Sequence, residues 1–296
     1  MTDALPLVFH PAYVPPDSLH FARLAAVAAM AKRCGLGREH VPAPLSEAVL
    51  KQLHDPLYVD DFLAGRQPLA GSSHLPWSSG LVDAVRLMLG GQKLGASLAW
   101  EHGVAINLAC GFHHAHPQRG GGFCVFNGLA LLALLHPERR IAVLDCDEHG
   151  GDGTEAFAER LHNLHTISVF GTRFGLRGGV RSRLFRAPDP GGDTVDDGYL
   201  RVIDESLDAL LLMQPDLVVY QAGMDSHRDD PRATLKLRSE TLATRDQRVF
   251  AALATARLPV LCVLAGAYQP PARVAQLYEA TFRAAAAAHQ VWRMRT

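Results

Sequence analysis

The sequence predicts an α/β protein, a three-layer open parallel sheet with helices on both faces. Three observations carry that expectation. Beyond residue 103 the chain holds five short, β-rich apolar runs: VAINL (104–108), IAVLD (141–145), HTISVF (165–170), DLVVYQ (216–221) and PVLCVL (259–264). Most of each run is continuously apolar, as in strands covered on both faces, where an open antiparallel sheet would alternate. Segments with helical spacing separate most of them, the rhythm of βαβ units.

The elements follow in order. Residues 7–10 form a short first strand, closed by a loop with Pro11, Pro15 and Pro16. Residues 18–34 are apolar at helical spacing, and Gly35 is a stop signal. Residues 36–65 show no clear strand and read as short helices, with Pro42 and Pro44 marking a turn; AGSSHLPWSS (70–79) reads as an exposed loop. A long helix is expected over 80–101, weakened by Gly90 and Gly91. Helices over 129–135, 199–213 and 240–256 alternate with the strands, and 272–288 adds one more covering helix.

With 296 residues, 48% hydrophobic and 20% charged, the chain can bury one sizeable core, so a single domain, 1–296, is expected. A net charge of -1 gives no electrostatic case for a nucleic-acid partner. The local basic run of Arg173, Arg177, Arg181, Arg183 and Arg186 reads as a solvated loop rather than a substrate-docking patch. Cys34, Cys110, Cys124, Cys146 and Cys262 are scattered without a Cys-x-x-Cys pair, which fits a reducing compartment and a cytoplasmic location. MTDALPLVFH has no export-signal pattern, and no apolar run approaches membrane-spanning length, so no membrane partner is expected.

In open parallel sheets ligands sit beyond the carboxyl ends of the strands. There the chain places His113 and His114 after the first run, Asp147 and His149 after the second, Asp225 after DLVVYQ and Tyr268 after PVLCVL, each beside glycine. Asp147, His149 and Asp225 make a three-ligand set that leaves coordination positions open, as catalytic zinc requires. The His113–His114 pair can supply a general base and a general acid, provided that the loop after Gly111 is irregular enough to point both rings inward. Tyr268 can donate to a carbonyl oxygen that gains negative charge. Asp145 and Asp152 are expected to orient His113 and His114 respectively. The run Gly120, Gly121, Gly122 before Phe123 lacks the ending of a phosphate loop and reads as a narrow wall of a substrate passage.

GFHHA, GGGFCVFN, DCDEHGGDGT, QAGMD with Asp230-Pro231, RDQRVF and AGAY, in their positions, resemble the histone deacetylase superfamily of zinc-dependent amidohydrolases, closest to the class IV type and its bacterial relatives. The resemblance implies the arginase/deacetylase fold and removal of acetyl or longer acyl groups from lysine side chains or a small acylated amine. It implies one zinc per chain on Asp147, His149 and Asp225, with His113, His114 and Tyr268 as catalytic groups. It further implies a substrate channel at Gly122 and Phe123, with Phe170 or Phe174 as second aromatic. A potassium site would use Asp145, Ser168 and carbonyls of Asp147, His149 and Val169, and Arg23 matches the arginine near the first helix. The chain departs from the pattern at Ala265, Ala267 and Gly128, and the aspartate that grips peptide backbone on the rim has no counterpart in GSSHLPWSS. Competing readings are an acetylpolyamine amidohydrolase, a non-catalytic acyl-lysine binding module, and a binuclear manganese ureohydrolase, which would need further bridging carboxylates. The expected partner is an acylated lysine peptide or small acylated amine; oligomeric state is open.

Overall fold

A computed structural model describes residues 4–16, 18–188 and 195–294; the outermost ends of the expected 1–296 domain lie outside them. Among the described residues eight strands form one parallel sheet: β1 (Pro6–Val8), β2 (Arg38–His40), β3 (Val104–Cys110), β4 (Ile141–Asp145), β5 (Leu164–Phe170), β6 (Ser182–Arg186), β7 (Leu217–Ala222) and β8 (Val260–Leu264). Their spatial order is β2-β1-β3-β8-β7-β4-β5-β6. Every residue of β3, β4, β7 and β8 is buried. Successive strand residues point to opposite faces, so both faces of this central quartet are covered.

The covering helices among the described residues are α1 (Ala22–Arg33), α2 (Glu47–Leu53), α3 (Pro56–Ala64), α4 (Ser79–His102), α5 (Gly128–Leu135), α6 (Asp152–Ala158), α7 (Val195–Met213), α8 (Ser239–Ala256) and α9 (Pro271–Arg293). Side chains cap several starts: Ser78 Oγ accepts from Leu81 N at the head of α4, and Asn127 Oδ1 accepts from Ala130 N at the head of α5. The glycines inside α4 serve close packing. A Cβ on Gly90 would lie 1.8 Å from the Ala43 carbonyl oxygen, and one on Gly91 2.0 Å from the Tyr13 hydroxyl.

Four local expectations are corrected. Residues 36–65 do contain a strand, β2, which is short, polar and paired only along β1. The segment 70–79 is exposed only in part: His74 and residues 76–79 are exposed, but Ala70, Ser73 and Leu75 are buried, and Leu69–Gly71 forms a 3-10 turn. The basic run is not a solvated loop throughout, since Arg183 and Arg186 lie on edge strand β6. Arg181 Nε and Arg173 Nε donate to the carbonyls of Ala158 and Leu176. Helix α6 fills a stretch for which no element was expected. No described helix is long and apolar enough to cross a membrane.

Candidate active site

The sheet order puts β3, β8, β7 and β4 side by side, so the loops after these four neighbours share one edge. β4 ends at Asp145, and the following turn carries Asp147 and His149 inward by loop geometry, not by continued strand alternation. One ligand atom each of Asp147, His149 and Asp225 lies within 4.8 Å of the others, the one such group among the described residues. His149 Nδ1 points into the cluster, 3.1 Å from Asp225 Oδ2 and 3.3 Å from Asp147 Oδ1. Backbone donors fix both carboxylates: Gly266 N donates to Asp147 Oδ2 at 2.7 Å and Glu148 N to Asp225 Oδ1 at 3.0 Å. Gly266 must be glycine for this approach, since a Cβ there would sit 2.1 Å from Asp225 Oδ2.

Two facing carboxylates at this depth are electrostatically costly. Burial and the adjacent Asp147 push Asp225 above the usual carboxylate range. Burial would raise Asp147 too, but His113 and His149 hold it below that range. Burial would lower His149, yet its bonds to Asp147 and Asp225 lift it to about 10. Two carboxylates and one imidazole, pinned from behind and crowded together, are a donor set that a divalent cation suits.

The two histidines face the same space. Phe112 takes a left-handed backbone (φ 63°) between Gly111 and His113, and the rings of His113 and His114 stand 3.9 Å apart. His113 Nδ1 is 2.8 Å from Asp145 Oδ2, and His114 Nδ1 is 2.7 Å from Asp152 Oδ1. The two environments split their basicities. Burial would lower His113, but Asp145 and Asp147 outweigh it and raise it to about 9. Burial and the neighbouring His113 lower His114 to about 4.

Phe123 and Phe174 both occupy left-handed backbone and line the approach. The Phe174 ring lies 4.0 Å from His114, and the Phe123 ring 6.0 Å from Tyr268. Phe170 is buried inside β5, which leaves Phe174 as the aromatic at the approach. Gly122 (φ 47°) stands against His114; a Cβ there would meet its Cδ2 at 2.4 Å. The 71–79 segment buttresses this wall: Ser72 Oγ accepts from Gly120 N and the Ser73 carbonyl from Phe123 N. A small cavity of about 30 Å³ is lined among others by Arg23, Phe123, Asp147 and Tyr268. Burial, then Asp225 and Asp147, push the Tyr268 phenol far up, so it stays a hydrogen-bond donor. Arg23 is buried and donates to Cys110 Sγ at 3.2 Å. Ser168 is the register partner of Asp145, and Val169 follows it.

Several contributors have no signal in spacing. His116 Nε2 lies 2.9 Å from Asp152 Oδ2, so this carboxylate is held between two histidines. Glu148, fully buried, accepts from Thr234 Oγ1 and N, tying the ligand loop to the loop after β7. Arg245 donates to the carbonyls of Gly223 (2.7 Å) and Cys146 (3.3 Å), gripping both ligand loops from behind, with Asp246 as its ion-pair partner at 2.8 Å. The motif RDQRVF contains this pair, but burial on a helix face is not visible in it.

Comparison with known proteins places this architecture. The crystal structure of an acetylpolyamine aminohydrolase from Burkholderia pseudomallei superposes with a TM-score of 0.79 at 18% identity, over 96% of this chain and 99% of that one, so the fold is the arginase/deacetylase fold. A family model described as histone deacetylase domain matches residues 18–285, and the chain belongs to that family of hydrolases. An uncharacterized protein of Picosynechococcus is 33% identical over 277 residues, 89% of this chain and 92% of the relative. Histone deacetylase 2 of Arabidopsis thaliana is 34% identical over 191 residues, 62% of this chain and 49% of its own length. The match thus spans about half the length of that named deacetylase.

Proposed function

We propose that this protein is a zinc-dependent amidohydrolase that removes acetyl or longer acyl groups from the amine of a lysine side chain or of a small molecule. The observation that carries the reading is the meeting of Asp147, His149 and Asp225 within 4.8 Å beside two carboxylate-oriented histidines. Zinc held by those three residues would act as a Lewis acid on the acyl carbonyl and acidify water. The alkyl stem of the amine lies between Phe123 and Phe174 with the acyl group inward of them, and the Gly122 carbonyl accepts from the amide N–H. The water oxygen adds to the acyl carbon, the C–N bond breaks, and the His113–His114 pair takes the proton from water and delivers it to the departing amine. Asp145 and Asp152 hold the imidazole tautomers for that transfer. Tyr268 donates to the carbonyl oxygen as charge grows there. As parts of the same proposal, Asp145, Ser168 and Val169 supply oxygen donors for a potassium ion, residues 1–296 act as one catalytic domain, and the unpaired cysteines suit a cytoplasmic location.

Replacing Tyr268→Phe tests the reading. Turnover of an acyl-lysine peptide should fall about 10²- to 10³-fold, the usual effect of removing one such donor, with metal content unchanged. Undiminished turnover would remove Tyr268 from the chemistry.

A further inference from the structure

Arg232 has no role in the chemistry above, yet it stands over the approach to it. Its guanidinium carbon lies 4.8 Å from the ring centroid of Phe123 and 4.8 Å from that of Tyr268. The side chain is exposed, and among the described residues no carboxylate lies within ion-pairing distance of it. The nearby acids are committed elsewhere. Asp230 accepts from the backbone N–H groups of Arg232 and Tyr268, and Asp229 faces His227 and Arg273. The third ring of the mouth, His20, sits 5.1 Å from Phe123. Lys236 Nζ donates to the Asp230 carbonyl, so that cation is anchored here as well. An unpaired guanidinium parked on two aromatic faces is held in place without being neutralised.

Resting on the amidohydrolase reading, we propose that Arg232 is a specificity residue that selects acylated amines bearing a carboxylate at the outer end of the amine's alkyl stem and turns away polycationic ones. The amine half of a substrate whose acyl group lies inward of Phe123 and Phe174 passes between those rings and emerges beneath this guanidinium. A carboxylate there gains an ion pair at partial desolvation, whereas an ammonium meets like charge.

Four compounds test it: Nα-blocked Nε-acetyl-lysine with a free carboxylate, its neutral carboxamide, N-acetylspermidine, and an acetyl-lysine peptide flanked by aspartates. Both kcat/KM and, by calorimetry, Kd are read for the zinc-loaded protein and for Arg232→Gln and Arg232→Glu, with the carboxamide as reference within each protein. The wild type should favour the free carboxylate over the carboxamide by roughly tenfold and disfavour acetylspermidine by a similar factor, the size of one partly screened ion pair. Arg232→Gln should abolish both ratios and Arg232→Glu invert them. Preference for the small compound over the aspartate-flanked peptide assigns the carboxylate to the acylated amino acid itself; the reverse assigns it to acidic peptide flanks. Ratios that do not move in either variant, or a wild type that prefers acetylspermidine, overturn the proposal. A charge preference in Kd that Arg232→Gln removes, with no turnover of any compound, upholds it and sinks the hydrolase reading alone. No binding of any compound overturns both.

Discussion

Removing the Arg245 side chain probes how the ligand loops are held. Arg245 and Asp246 are both inaccessible to solvent, 2.8 Å apart, and Asp246 also accepts from the hydroxyls of Tyr220 and Thr281, each at 2.5 Å. Arg245→Met leaves that carboxylate buried without its cation, which costs about 3–5 kcal/mol. It also strips a donor from the carbonyls of Gly223 and Cys146, adding roughly 1 kcal/mol for each. Against a total stability of about 5–15 kcal/mol, such a loss should shift the urea midpoint by more than about 1 M at an m-value of 1–3 kcal/mol/M. The double variant Arg245→Met/Asp246→Asn removes both charges and keeps an acceptor for the two hydroxyls. It should recover at least about 1 kcal/mol of the single variant's loss. A single variant that costs less than about 1 kcal/mol, or a double variant that is less stable than the single, would refute the argument that the buried cation is needed chiefly because its partner is charged.

Two further outcomes are expected. Gly266→Ala would press a methyl group into Asp225 Oδ2 and, at 2.7 Å, Asp147 Oδ2. Its affinity for Co²⁺, read by spectroscopic titration, should fall at least tenfold while the circular dichroism spectrum is retained; unchanged affinity would contradict the tight packing of the ligand loops. His54 is buried with Nδ1 3.0 Å from the His116 carbonyl and Nε2 accepting from Asn127 N, and burial lowers it to about 3. The unfolded ring titrates near pH 6.5, so between pH 6.5 and about 3 the unfolded chain binds a proton that the folded one refuses. Stability from this group is therefore full above pH 6.5 and falls as pH drops, by at most about 1.4 kcal/mol per unit. Urea midpoints of His54→Gln between pH 7 and pH 4.5 should decline less steeply than those of the wild type; equal slopes would contradict this.

The central sheet was legible because β3, β4, β5, β7 and β8 are apolar runs whose composition matches burial on both faces. The edge strands were not: β2 is Arg-Glu-His and β6 is Ser-Arg-Leu-Phe-Arg, each paired on one side only and with little apolar content to mark it. Helix α6 was hidden because Gly151, Asp152 and Gly153 open it with residues of low helix propensity. At the site, residues immediately after strands could be collected by asking what each strand delivers to one edge. Their partners across the fold could not. The contact of His116 with Asp152, the grip of Arg245 on two loops and the stacking of Arg232 depend on tertiary distance, and each looks like an ordinary surface residue in the chain. In the 70–79 segment exposure was legible for His74 and residues 76–79 but not the inward half, where Ser72 and Ser73 spend hydrogen bonds on the glycine wall.

The most direct test of the central claim is metal content and turnover measured on one sample. The account predicts about one zinc per chain, hydrolysis of an acylated amine, loss of that activity on chelation and its return with zinc. Two metals per chain, or hydrolysis that survives complete removal of metal, would contradict it.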